Sequence, residues 1–366
     1  MATTKIIDRP DYKKRQQKVL SLDTDSFDGL WITGSSNVQY LTGFTGSSGT
    51  LFLSKKEAVF FTDFRYEEQS KHEVGDSAKI TVFKISQKEA FLEFLKSHSY
   101  KKIGIEGSLS VEMFEALKKG SEGKFTFGIS QSLVESVRKI KDDYEIQCLH
   151  KAFEIADKAF DKLLKFIRPG RKEKEIAAKL EYLLATLGSE KTSFDTIVAS
   201  GERASCPHAK PTDKKACEGE MIKIDFGAVY LGYHSDMTRT IFLGKPDAKF
   251  RKIYNTVLEA QQKAVKALKP GLKGIDIDKV ARDHIKNEGF GDYFGHGLGH
   301  ALGLDVHELP ALSFKCPETI SAGNVVTVEP GIYIPGWGGV RIEDVYIVQE
   351  KSNIKLTSTP NKLLSL

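Results

Sequence analysis

Short apolar runs punctuated by turn residues mark the first part of the chain. GLWIT (29 to 33), GTLFLS (49 to 54) and EAVFFTD (57 to 63) each bound a hydrophobic stretch with glycine, serine or acidic residues, and are predicted as strands. QKEAFLEFLKSH (87 to 98) has its apolar residues at helical spacing and is predicted as a helix. The alternation of the two types predicts an α/β domain over residues 1–135. TGFTGSSGT (42 to 50) is rich in glycine but lacks the Gly-Lys-Ser/Thr ending of a phosphate-cradling loop, so a turn joining two strands is expected there. From Lys141 the pattern changes to one long amphipathic helix, DDYEIQCLHKAFEIADKAFDKLLKFI, ending at Pro169-Gly170. The boundary falls just before it, giving a second domain over 136–366.

That second domain contains a weak internal repeat. IRPGRKEKEIAAKLEYLLATLG begins at Ile167 and LKPGLKGIDIDKVARDHIKNEG at Leu268, an offset of 101 residues that also aligns Gly188 with Gly289. In both, a long helix stops at Pro-Gly and strand-like segments follow, predicting two helix-helix-sheet halves. A site between such halves draws residues from each.

FGHGLGHALGLDVHELP (294 to 310) brings His296, His300 and His307 together with four glycines. The i,i+4 spacing of His296 and His300 resembles a zinc-binding helix, but each glycine costs about 1 kcal/mol in a helix interior, so an extended or irregular segment is expected. Acidic residues inside apolar runs supply further polar groups for a site. MIKIDFGAVYLGYHSDMTRTIFLG (221 to 244) is predicted as two strands joined at Gly232-Tyr233, a hairpin that brings Asp225 near Asp236. VVTVEPGIYI (325 to 334) and GGVRIEDVYIV (338 to 348) place Glu329 and Glu343 inside apolar strands. A single such acid is readily explained by pairing with Arg341 or by an edge position. Four of them, with three histidines, point to metal ions, because ionised carboxylates are rarely buried unless paired or metal-bound.

Bulk properties narrow the class. At 366 residues the chain is long enough for two cores. Its net charge of +5 is scattered in lysine pairs, with no basic run interleaved with aromatics, which argues against a nucleic-acid partner. The opening MATTKIIDRPDYKKRQQ has no apolar signal core, and no eighteen apolar residues run together, so neither export nor a membrane partner is expected. Four cysteines without a Cys-x-x-Cys pair fit reduced thiols and a cytoplasmic location. Cys206 and His208 lack the second pair that a zinc tetrahedron needs.

The order Asp225, Asp236, His300, Glu329, Glu343 resembles the five metal ligands of the pita-bread metallopeptidases, the family of methionine aminopeptidase, aminopeptidase P and prolidase. The whole chain is similar to the aminopeptidase P and prolidase branch, including a creatinase-like N-terminal domain with SSNVQYLTGFTGSSG and TDFRYEEQ. The resemblance implies an α/β (α+β) architecture with a pseudo-symmetric pita-bread catalytic domain. It implies that Asp225 chelates one ion, that Asp236 and Glu343 bridge two, and that His300 and Glu329 hold the second. Glu329 is then also the proton shuttle, His208 and His307 are the catalytic histidines, and His296, Tyr333 and Arg341 border the proline pocket. Four carboxylates and one imidazole form a hard donor set suited to two divalent ions, manganese first, with cobalt or zinc open.

Within the branch, archaeal-type dipeptidases place arginine directly after His-Glu-x-Pro, where this chain has Ala311. That difference favours an Xaa-Pro aminopeptidase acting on peptides with proline second, with Xaa-Pro dipeptidase (prolidase) as the alternative. Methionine aminopeptidase and a non-catalytic binding protein on the same fold rank below both. The resemblance also implies a homodimer.

Overall fold

The computed structural model describes residues 9–22 and 26–366, so part of the opening segment read for a leader lies outside the described residues. Contacts divide the chain into two compact units that meet in sequence between Arg138 and Lys139. No described helix is long and apolar enough to cross a membrane.

The N-terminal unit is built on a six-stranded mixed sheet. Its order is Lys79–Phe83, Ala58–Asp63, Gly49–Leu53, Gly29–Ile32, Lys102–Ile105 and Thr126–Ile129. The three predicted strands and the helix Gln87–Lys96 lie where the apolar pattern placed them. Their inward faces make an aromatic core in which Trp31 stacks on Phe91 at 4.3 Å. Segment 43–48, in contrast, joins the helix Ser35–Thr42 to a strand, rather than two strands. Gly43 at φ 83 ends that helix by turning its N–H back onto the carbonyl of Gln39. The polar, mixed character of SSNVQYLT hid the helix from pattern reading.

In the second unit the repeat is structural. Asp143–Leu164 packs on Glu173–Thr186, and Ala248–Ala267 packs on Gly274–Asn287, the second helices of the two pairs keeping the offset of 101 residues at both ends. Gly170 and Gly271 both adopt φ 89, and Gly188 and Gly289 adopt φ 105 and 87, a region open to glycine without strain. Each helix pair closes its own core. Phe160, Leu180 and Ile224 belong to the first, and Val257, Ile277 and Val326 to the second.

The strands depart from expectation in two ways that matter for the site. Met221–Phe226 and Met237–Phe242 do pair antiparallel, but a second small ladder, Val229–Tyr230 with Tyr233–His234, extends their tip. The chain therefore turns at Leu231-Gly232, with φ of 50 and 81, rather than at Gly232-Tyr233. Glu329 and Glu343 do not sit inside strands. Glu329 lies between Val325–Val328 and Gly331–Ile334, and Glu343 between Gly338–Arg341 and Asp344–Ile347. Pro330 has no N–H to continue a ladder, and at Glu343 the chain passes from a two-stranded sheet to a five-stranded one. These breaks free both side chains from the alternation of a strand.

Beneath the breaks Arg239, 1% exposed, pairs with the fully buried Asp344 at 2.6 Å. The guanidinium also donates to the backbone carbonyls of Glu343, Thr359 and Pro360. It thus fixes the strand junction that carries Glu343. Arg239→Met leaves Asp344 with Lys355, Thr357 and Asn361 as its remaining partners and these carbonyls short of a donor, so urea unfolding should show a loss of about 2–3 kcal/mol. A loss below about 1 kcal/mol would contradict this role.

Candidate metal centre

Antiparallel pairing sets the first three groups. Asp225 lies opposite Thr238, and Lys223 opposite Thr240. Directly opposed residues share a face, and residues two apart on one strand share it too. Lys223, Asp225, Asp236, Thr238 and Thr240 therefore project to one side. Thr238 is the hinge to the second half of the repeat: its hydroxyl donates to Oε2 of Glu343 at 2.8 Å and accepts from Nε of Arg341 at 2.9 Å.

His300 comes from the short strand Gly299–Ala301, which follows an irregular run as the glycines predicted. A Cβ on Gly299 would fall 2.1 Å from the carbonyl oxygen of Thr327, so only glycine allows this close approach. The approach lets the backbone N–H of His300 donate to the Thr327 hydroxyl at 3.0 Å. A carbonyl can only accept, so the 3.0 Å contact of His300 Nδ1 with the Ala301 carbonyl fixes the proton on Nδ1. The Nε2 lone pair then faces Oδ2 of Asp236 at 3.6 Å and Oε1 of Glu329 at 3.5 Å.

Acceptors facing acceptors at that spacing repel one another unless a cation lies among them. Two more buried oxygens, Oδ1 of Asp225 and Oε1 of Glu343, have no hydrogen-bond donor among the described residues. Ligand atoms of Asp236, His300 and Glu343 lie within 4.8 Å of each other. Burial, followed by the charges of Glu343, Asp225 and Glu329, pushes Asp236 above the usual carboxylate range. Glu343 is raised in the same way, and burial pushes Glu329 up to about 8. Burial, with the neighbouring His307 ring, lowers His300 to about 4. The donor set therefore fits hard divalent ions and is poorly satisfied without them.

Asp225, Asp236, His300, Glu329 and Glu343 line a single cavity of about 460 Å³ together with His208, His296, His307 and Arg341. Tyr333, expected at the border of the proline pocket, is buried against two residues that line the cavity. Its hydroxyl contacts Nε2 of His296 at 2.8 Å and accepts from Nη1 of Arg341 at 2.9 Å. Nδ1 of His296 contacts the Gly297 carbonyl at 2.7 Å, so the tyrosine hydroxyl donates to the remaining nitrogen. Arg341 also binds Asp225 through Nη2. The His300 and His307 rings meet at 4.3 Å, whereas exposed His208 projects from an irregular segment. Cys206 is exposed and lies outside the cluster. Sequence reasoning missed Thr238, Thr327 and the apolar wall residues Phe194 and Ile197, whose types carry no signal of a site.

Residues 147–350 match Metallopeptidase family M24, and residues 15–140 match the Creatinase/Prolidase N-terminal domain. The chain is 41% identical to an Xaa-Pro dipeptidase of Pyrococcus furiosus, over 96% of this chain and all of that protein. Among solved structures it is similar to an Xaa-Pro dipeptidase from Bacillus anthracis, with a TM-score of 0.93 and 40% identity over 97% of this chain and 100% of that one. An X-Pro aminopeptidase from Thermotoga maritima gives a TM-score of 0.89 and 35% identity, over 96% and 100% of the two chains.

Adding a divalent ion to chelator-treated protein should raise its melting temperature by about 5 °C or more, since binding stabilises the folded chain by mass action. Asp236→Asn removes a charge from the centre of the cluster and should abolish most of that rise. An unchanged rise in this variant, measured by calorimetry, would place the ion elsewhere.

Proposed function

The chain belongs to metallopeptidase family M24, and from that premise we propose that it is a dinuclear-metal Xaa-Pro peptidase, acting foremost as an Xaa-Pro dipeptidase. The observation that carries this reading is the cluster of four carboxylates and the Nε2 lone pair of His300, turned toward one another in a cavity large enough for a short peptide. Relatives named as dipeptidases at 40–41% identity support the dipeptidase form. A second reading, Xaa-Pro aminopeptidase, is favoured by Ala311. This residue offers no cation in the strand Glu308–Leu312, and it is not among the residues lining the cavity.

Asp225 would hold one ion, Asp236 and Glu343 would bridge two, and His300 with Glu329 would hold the second. When bound, the two ions supply Lewis acidity toward the scissile carbonyl and make water more acidic. Glu329 accepts a proton on its carboxylate from the attacking water and delivers it to the leaving prolyl nitrogen. His307, against the His300 ring, and His208, which lines the same cavity near enough to His307 for their charges to interact, donate toward the carbonyl oxygen as it gains charge. An amide before proline has no N–H, so selection for proline rests on shape. His296 is held rigid by Gly297 and Tyr333, and Phe194 and Ile197 add apolar wall. Arg341 positions Asp225 and Tyr333.

The oxygen-rich donor set supports manganese as the working metal. A low cysteine content with no Cys-x-x-Cys pair supports a cytoplasmic location. Peptides with proline second are the proposed partners, and the resemblance of the whole chain supports a homodimer.

Metal-loaded protein should hydrolyse Xaa-Pro dipeptides and fail on Xaa-Ala controls, with Xaa-Pro-Xaa tripeptides measured alongside to separate the two readings. Glu329→Gln should lower kcat by at least about a hundredfold, a loss exceeding any fall in metal content measured by elemental analysis. Wild-type rates in that variant would remove Glu329 from the chemistry.

A further inference from the structure

Two cations besides histidine line the metal cavity, and they differ in what they are free to do. Arg341 is spent: its guanidinium binds Asp225, the Thr238 hydroxyl, the Tyr333 hydroxyl and the Pro207 carbonyl. Lys210 lines the same cavity, is exposed, and has no carboxylate partner among the described residues.

The segment that carries Lys210 opens on one 3-10 turn, Gly201–Ser205, runs on without regular structure, and yet is tightly held. Fully buried Glu173 clips both of its ends, accepting from the backbone N–H of Ser200 at 2.8 Å and of Thr212 at 3.0 Å. Glu173 also pairs with Arg203 at 3.1 Å, and Arg203 Nη2 donates to the carbonyl of Lys210 itself at 2.7 Å. From the other side, fully buried Lys223 donates to the carbonyls of Ala204, Cys206 and Pro207 at 3.1, 2.6 and 3.2 Å. Burying the polar ends of a glutamate and a lysine to fix one loop is costly, and such costs are tolerated where a side chain on the loop must be held in place.

The chemistry of the substrate supplies the reason. In an Xaa-Pro dipeptide the free carboxylate sits on the ring carbon beside the scissile nitrogen, so it cannot leave the cavity. There it meets Asp225, Asp236, Glu329 and Glu343, with Asp195 also lining the wall. A longer peptide carries its carboxylate away from these acids. Accepting dipeptides therefore requires a cation that is not already bound to an acid of the site.

We infer that Lys210 receives the C-terminal carboxylate of Xaa-Pro dipeptides and that segment 201–212 is the rigid carrier that presents it, an inference that rests on the Xaa-Pro peptidase reading above. Lys210 thereby sets the preference for a free carboxylate, in place of the arginine absent at position 311.

The test compares Ala-Pro with its C-terminal amide, Ala-Pro-NH2, which has the same shape without the charge, using manganese-loaded full-length protein. Wild type should favour the acid in kcat/KM by about tenfold, the size of one charge-assisted contact moderated by solvent. Lys210→Met should bring the acid-to-amide ratio to one or below, mainly through KM, while Lys210→Arg keeps it within about threefold of wild type. A wild-type ratio near one, or an unchanged ratio in Lys210→Met, overturns the assignment of Lys210 and leaves the peptidase reading standing. Failure of the wild-type protein to cleave either compound overturns both.

Discussion

Four buried or half-buried carboxylates and an imidazole lone pair converge in one cavity only at a high electrostatic cost unless positive charge lies among them. Asp225, Asp236, Glu329, Glu343 and His300 do converge, and much of the surrounding architecture holds them against their own repulsion. Arg341 offsets part of the charge through Asp225, Thr238 ties Glu343 to the opposite strand, and Arg239 with Asp344 anchors the junction below. The pocket is therefore preorganised for cations by groups that never touch them.

The duplicated architecture explains how such a cluster is assembled. Each helix pair closes its own core, and the polar groups come from both halves: Asp225 and Asp236 from the first, His300, Glu329 and Glu343 from the second. The halves are alike in their helices and glycine turns but unlike at the site. That allows a near-symmetric frame to present an asymmetric ligand set. The cavity's remaining walls come from loops. His208 and Lys210 share one of these, which follows the 3-10 turn Gly201–Ser205 and is held by hydrogen bonds to buried Glu173 and Lys223.

Much of this was legible in the sequence, for identifiable reasons. The repeat could be read because Pro-Gly and the following glycine mark helix ends with residues that few others can replace. The acids stood out because a charge within an apolar run is conspicuous. Their exact setting was hidden: Glu329 and Glu343 occupy breaks between strands, and neither Pro330 nor the change of sheet at Glu343 reveals by pattern alone how far the ladder extends. Tyr333, expected at the border of the proline pocket, touches His296 and Arg341 through its hydroxyl, a linkage that no pattern along the chain displays. Thr238, Lys223 and Glu173 carried no signal because their roles depend on which strands become neighbours.

The most direct test of the account is anomalous diffraction from crystals of the protein grown with manganese. Two peaks inside the cavity, each within bonding distance of the carboxylates of Asp236 and Glu343 and only one of them against Nε2 of His300, are expected. A cavity with no peak, or with a single ion remote from Asp236, would contradict a dinuclear centre built from these five residues.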